Sequence, residues 1–295
     1  MTTTAIYELG PMKLAFKPIV TEVEEAYSLI ESIEPPGASV DLHRHPSWQE
    51  TFVVLDGRFD FEVVGTRHGL GPGEVLVVPR GAAHGFTCTS PEAGRLLTIS
   101  TPSRVFEAFV AEVSAANRDP SIDVHAVFAR HGFELVASSP REEDAPSARH
   151  YRSMEGKTLQ LGRMTMAFKR TEGDADGAYS IVESVEPPGA GAGRHRHPRY
   201  QETFLVLEGR FDFEADGERR SMGAGEMLVI PRGAPHGFTC TSQEAGRLLT
   251  ISTPPRVFET GVAEVCALKI DTGTPQGGPA MELRAIAARH GLEFL

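Results

Sequence analysis

Residues 37–57, GASVDLHRHPSWQETFVVLDG, return 152 positions later as GAGAGRHRHPRYQETFLVLEG, residues 189–209. Each is followed by a second repeated stretch, GEVLVVPRGAAH at 73–84 and GEMLVIPRGAPH at 225–236. Together they set three histidines and one glutamate at the same spacing in each half: His43, His45, Glu50 and His84, then His195, His197, Glu202 and His236. On an extended strand residues two apart share a face, so His43 and His45 point one way and Arg44 the other. Pro46 interrupts the strand and resets the register, which lets Glu50 open the next strand facing the same cavity. His84 arrives on a later strand, after the turn PRGAA. Three imidazoles and a carboxylate, with no thiolate, suit a first-row divalent metal such as iron, manganese, nickel, copper or zinc. A lone buried histidine is more often a hydrogen-bonded core residue, but six of the 11 histidines occupy repeated positions with a glutamate at fixed spacing. That is a ligand pattern, one divalent metal per half. His68, His125, His131, His150 and His290 have no such partners and read as surface or helix-end residues.

The repeat extends well beyond these motifs. From Arg80 to Ala116 the halves agree at 30 of 37 positions. The offset stays at 152 from Met12 to about Ala115 and reaches 159 at the helix pair HAVFARHGFEL and RAIAARHGLEFL. A period near 150 residues is a whole domain rather than a solenoid unit. The expected division is an N-terminal domain over 1–136, a polar, proline-bearing linker over 137–153, and a C-terminal domain over 154–295. Within each copy the pattern is short Val-, Phe- and Thr-rich strands between Gly or Pro turns. In GRFDFEV, Phe59, Phe61 and Val63 face one side and Arg58, Asp60 and Glu62 the other. Val105, Phe106, Phe109, Val110 and Val113 fall at helical spacing, and a second short helix ends where Gly132 can take the left-handed position. The fold class is therefore all-β with short terminal helices, one small antiparallel barrel per half.

Composition narrows the function classes. A formal charge of −11 opposes binding to phosphate backbones or anionic membrane surfaces, so neither nucleic acid nor membrane is an expected partner. No apolar run approaches the roughly 18 residues of a membrane span, and the N-terminus lacks the features of a signal peptide. Cys88, Cys240 and Cys266 form no CxxC and no disulfide framework, which points to a reducing cytoplasm. Cys266 aligns with Ser114 and carries no assigned role. Cys88 and Cys240 read either as small core residues or as cavity-facing groups that touch a substrate.

The two motif pairs resemble the two signature motifs of the cupin superfamily, and the 15 residues between Gly57 and Gly73, as between Gly209 and Gly225, match its short bacterial spacing. The resemblance covers nearly the whole chain as a bicupin and implies two tandem double-stranded β-helix, or jelly-roll, barrels. One departure is that cupins often carry Asn four residues after the last histidine, where this chain has Cys88 and Cys240. The P-x-x-VFE helix and the RHG helix end are most similar to quercetin dioxygenase-like cupins. That likeness implies a dioxygenase, with iron as the first expected metal, acting with O₂ on a small aromatic or enolic molecule. Four protein ligands leave coordination positions open, as catalysis requires. Glu50 and Glu202 are the candidate catalytic groups, each able to accept a proton from a bound hydroxyl. Trp48, Phe86, Cys88, Tyr200, Phe238 and Cys240 are the candidate substrate-pocket residues. Non-redox cyclisation or isomerisation, and binding without turnover, remain open beside the oxidative reading.

The halves differ around the metal. Counting back by twos from His43 makes Asp41 and Ser39 inward-facing, against Gly193 and Gly191 in the second half. The second pocket is then expected to be roomier, free of the Asp41 charge, and rimmed by Arg194 and Arg199, which makes it the principal catalytic site. Open sheet edges and the apolar helices after each barrel lead to the expectation of a homodimer.

Overall fold

The computed structural model describes residues 5–9, 11–17, 26–137, 147–170, 178–267 and 281–295. The chain divides into two compact units, Met1–Arg152 and Ser153–Leu295. In the first unit the strands are β1 (Ala5–Leu9), β2 (Met12–Lys17), β3 (Ser28–Glu34), β4 (Ser39–Arg44), β5 (Gln49–Asp56), β6 (Phe59–Val63), β7 (Thr66–Leu70), β8 (Val75–Val78), β9 (His84–Cys88) and β10 (Gly94–Thr101). Helices α1 (Val105–Arg118) and α2 (Val124–His131) follow, then β11 (Glu134–Leu135) and β12 (Arg149–Tyr151). The second unit repeats this order as β13 (Lys157–Leu161), β14 (Met164–Arg170), β15 (Ser180–Glu186), β16 (Gly191–Arg196), β17 (Gln201–Glu208), β18 (Arg210–Ala215), β19 (Glu218–Gly223), β20 (Met227–Ile230), β21 (His236–Cys240) and β22 (Gly246–Thr253). It closes with α3 (Val257–Ala267), α4 (Met281–Arg289) and β23 (Glu293–Phe294).

The strands do not close into one barrel. The first unit has a seven-stranded sheet, β1-β2-β3-β10-β5-β8-β12, and a five-stranded sheet, β11-β4-β9-β6-β7. The second has a six-stranded sheet, β13-β14-β15-β22-β17-β20, and a five-stranded sheet, β19-β18-β21-β16-β23. Each unit is thus a two-sheet sandwich in the jelly-roll manner, mostly β with four helices in all described. Strand β12 lies within the stretch expected to be linker; its Arg149–Tyr151 pair with Val75–Val77 of β8. Residues 138–146 of that stretch lie outside the described residues.

Apolar side chains fill the space between the sheets. Phe52 and Val54 of β5 meet Phe59, Phe61 and Val63 of β6, with Leu76, Val78, Phe86 and Leu96 completing the core. The alternation expected for β6 appears as buried Phe59, Phe61 and Val63 around Asp60 and Glu62. Gly57, at φ +82°, turns β5 into β6, and a Cβ there would lie 2.4 Å from Ser90 Oγ, so no larger residue fits that corner. Helix α1 follows with Phe109 and Val110 buried against Leu14, Phe16, Ile30 and Trp48, and Val127 of α2 joins them. Asp123 caps α2 by accepting from His125 N at 2.9 Å, and Gly132 ends it at φ 66°, in the left-handed position its sequence suggested.

Candidate metal centre

His43 and His84 are direct cross-strand partners on β4 and β9, and His195 and His236 are the same on β16 and β21. Glu50 and Glu202 project from β5 and β17 of the facing sheets, beside Val78 and Ile230. His45 and His197 lie just past the ends of β4 and β16, in the loops that Pro46 and Pro198 open. Those loops are pinned by the second motif: Gly81 N donates to His45 O at 3.2 Å, Gly233 N to His197 O at 2.8 Å, and Arg80 Nη1 to Ser47 O at 2.8 Å. The two motifs are thereby stitched together across some 35 residues of chain. Arg80 was missed as a positioning residue in the sequence, although PRG stands before the last histidine in both halves.

In each unit the four donor atoms lie within 4.8 Å of one another, and all eight residues are buried. His43 Nδ1 bonds to Asp41 O at 2.8 Å, His45 Nδ1 to Trp48 O at 2.8 Å and His84 Nδ1 to Ala82 O at 2.9 Å. A carbonyl can only accept, so each Nδ1 carries the proton and each neutral ring turns its Nε2 lone pair inward. Glu50 Oε2 stands 3.1 Å from His45 Nε2 and 3.0 Å from His84 Nε2. Glu202 Oε2 stands 2.9 Å from His197 Nε2 and 3.2 Å from His236 Nε2. His195 and His236 again donate Nδ1 to backbone, at 2.6 Å to Gly193 O and 3.0 Å to Ala234 O. Converging lone pairs repel unless a cation sits among them. Two atoms each about 2.1 Å from one ion and at right angles are about 3 Å apart, so the donor set fits a divalent metal.

Electrostatics agree. Burial, with His84 and His45 adding to it, pushes His43 down to about 3, Glu50 offsetting only part. Burial, with His236 and His197, takes His195 down to about 4. Burial alone would raise Glu50 and Glu202, but the facing histidines win and hold both carboxyls well below the usual range. His236 runs the other way, raised because Glu202 outweighs its burial. The neutral ring and ionised carboxylate that ligation requires are thus favoured at His43, His195, Glu50 and Glu202.

The other expected pocket residues separate into two groups. Trp48 stacks flat on His45, centroids 4.0 Å apart at 6°, and Tyr200 stacks on His197 at 4.1 Å and 26°. Both sit behind a ligand and are fully buried, Trp48 also packing on Phe109 of α1. Phe86 and Phe238, two residues past His84 and His236, belong to the aromatic cores formed with Phe61 and Phe213. Cys88 and Cys240 are buried, uncrosslinked thiols four residues past His84 and His236, about 13 Å along the strand. Phe133, just after α2, stacks on His43 at 4.6 Å and 20°, a contact the sequence reading did not anticipate.

The expected asymmetry loses its structural support. A register break between Val40 and His43 on β4 ends the simple alternation, so Val40 packs against the core while Ser39 and Asp41 are exposed. The same break lies between Ala192 and His195, leaving Gly193 exposed. A Cβ on Gly191 would meet Phe238 O at 2.0 Å, so this glycine serves close strand approach rather than pocket volume. Arg194 pairs with Glu214 at 3.4 Å, and Arg199 Nη1 donates to Arg289 O at 2.7 Å, tying the loop to α4.

The cupin-domain model matches twice, over residues 30–100 and 182–252. A curated relative, the quercetin 2,3-dioxygenase of Bacillus subtilis (strain 168), is 23% identical over 227 residues, 70% of this chain and 67% of its own. Among solved structures, an oxalate decarboxylase from Lactobacillus farciminis superposes with a TM-score of 0.56 at 15% identity, over 85% of this chain and 84% of that one. A salicylate 1,2-dioxygenase from Pseudaminobacter salicylatoxidans does so at 0.56 and 14% identity, over 81% and 74%.

Proposed function

Because the chain is a bicupin, with two domains of the cupin superfamily, we propose that it is a metal-dependent enzyme, a dioxygenase acting on a small aromatic or enolic molecule. The observation that carries the reading is the pair of buried three-histidine, one-glutamate groups. A divalent ion held there, iron first, supplies Lewis acidity and a redox partner for O₂. His43, His45, Glu50 and His84 would hold it in one domain, His195, His197, Glu202 and His236 in the other. In this reading Glu50 and Glu202 would also accept the proton of the substrate hydroxyl. Phe61 and Phe86, with Phe213 and Phe238, form the apolar cores that continue each strand beyond the last histidine. Trp48 and Tyr200 hold His45 and His197 in plane by stacking. Relatedness to quercetin 2,3-dioxygenase over most of the chain supports oxygen chemistry above non-redox cyclisation. Three free cysteines favour a cytoplasmic setting, and no described helix is long and apolar enough to cross a membrane.

The test is oxygen consumption by iron-, manganese-, nickel-, copper- and zinc-loaded protein against flavonols, hydroxybenzoates and β-diketones. Substrate loss should match O₂ uptake and stop under argon. Glu50→Gln and Glu202→Gln should each remove the turnover of their own domain by about 100-fold or more, with both proteins folded. Turnover that continues unchanged without O₂ would replace the dioxygenase reading with a non-redox one.

A further inference from the structure

Beside each glutamate ligand, the inner face of the larger sheet carries a row of serines. Ser28, Ser100 and Glu50 stand abreast on β3, β10 and β5, and Ser180, Ser252 and Glu202 on β15, β22 and β17. Cross-strand partners share a face with Cβ atoms about 5 Å apart. That face is the one of Ile30, Leu96 and Phe52, and of Val182, Leu248 and Phe204, so the hydroxyls point inward. All four serines are at most 2% exposed. Ser100 Oγ and Ser252 Oγ have no hydrogen-bond partner among the described residues. The row ends at the helix that follows: Ser28 Oγ accepts from Arg104 N at 3.0 Å, and Ser180 lies against the carboxyl of Glu259. There Glu107 and Glu259, half-buried as residues, each keep a buried Oε2 without a partner among the described residues.

Buried hydroxyls left unsatisfied cost stability, and native proteins meet such groups with internal water. Here the same polar row occurs twice, at the same place relative to the same ligand. We propose that each domain holds a file of internal water along this row, from the glutamate ligand past Ser100 and Ser28 to Glu107, and past Ser252 and Ser180 to Glu259, through which protons reach the sealed inner side of the donor group. Each hydroxyl accepts one proton as it gives up another, so one proton crosses and no group is left changed. The role rests on the metal-centre reading, whereas the water itself does not.

The experiment loads the protein with Mn²⁺ and follows its release to EDTA, in H₂O and D₂O. The double variant Ser100→Ala, Ser252→Ala should take up as much Mn²⁺ as the wild type, release it several-fold more slowly, and show a larger solvent isotope effect. The threonine counterparts, which keep the hydroxyl, should restore the rate. A crystal structure of the Mn²⁺ form should show ordered water bonded to Ser100 Oγ and Ser252 Oγ. Release at the wild-type rate by a fully loaded alanine variant would overturn the proton role, and dry hydroxyls in the crystal would overturn the water file. Wild-type protein that takes up no Mn²⁺ or other divalent ion would instead defeat the metal reading, leaving the water file to the crystallographic result.

Discussion

At the scale of single residues, orientation does as much as identity. His43 and His84 are fixed by a proton shared with a carbonyl two residues back in their own chain, so the fold selects the tautomer before any ligand arrives. Because the two donor groups are built on separate strands of separate units, His43→Ala is expected to lower metal content from two equivalents to one per chain, and His195→Ala likewise. Elemental analysis of each variant checks this, and unchanged occupancy in both would refute the ligand assignment. Glu186 presents a different case. Burial lifts its carboxyl to about 7, with Ser184 Oγ, donating at 2.6 Å, pulling the other way. The folded chain then keeps the proton up to about 7, while the unfolded chain loses it near the ordinary glutamate value of 4.5. The stabilisation from this group is complete below that lower value and fades as pH rises to 7, by an amount on the order of 3 kcal/mol. Glu186→Gln, neutral throughout, should therefore be more stable than wild type at pH 8 and little different at pH 4. Urea denaturation at the two values would show it, and an equal effect at both would count against a protonated Glu186.

At the scale of elements, the decisive device is the register break in β4 and β16. It lets the strand pack Val40 or Ala192 inward and, three residues on, His43 or His195 inward as well, against simple alternation. The glycines of the second copy separate cleanly under this geometry. A Cβ on Gly191 would meet the Phe238 backbone, whereas one on Gly193 meets nothing within 4 Å. Gly191→Ala is expected to destabilise by about 1–3 kcal/mol through overpacking, and Gly193→Ala to fall within about 0.5 kcal/mol of wild type. Thermal denaturation of the pair decides it; equal losses would mean the break is absent. The helices repeat one clip: Glu112 binds Arg130 and His131, and Glu264 binds Arg289 and His290. In the first unit this holds Phe133 over His43.

At the scale of the whole molecule, duplication yields two complete sites, each assembled within its own unit. Neither borrows a ligand from the other, which is why the single-site variants above should act independently. The short strands β11 and β23, at the edges of their sheets among the described residues, leave the apolar side chains of Leu135 and Phe294 exposed. A homodimer is the assembly we expect, since association would cover such edges. Light scattering should give about twice 31.9 kDa, and a mass near that of one chain would refute it.

The sequence by itself determined the duplication, the mostly-β class with its trailing helices, and the repeated three-histidine, one-glutamate pattern, whereas the small closed barrel expected of each half is instead a pair of sheets. Each of the first three is a matter of local spacing: period-two alternation, proline and glycine punctuation, and histidines locked at fixed intervals to a glutamate. Tertiary structure alone decided what stands around the donors. Asp41 faces solvent because a one-residue irregularity reverses every side chain upstream of it, and no count along the chain can detect that reversal. Trp48 and Tyr200 stack on His45 and His197 because the helix that follows each sandwich packs against them and holds the rings in place. Ser100 and Ser252 join Glu50 and Glu202 only through antiparallel pairing between strands some fifty residues apart, a relation fixed by hydrogen-bond register.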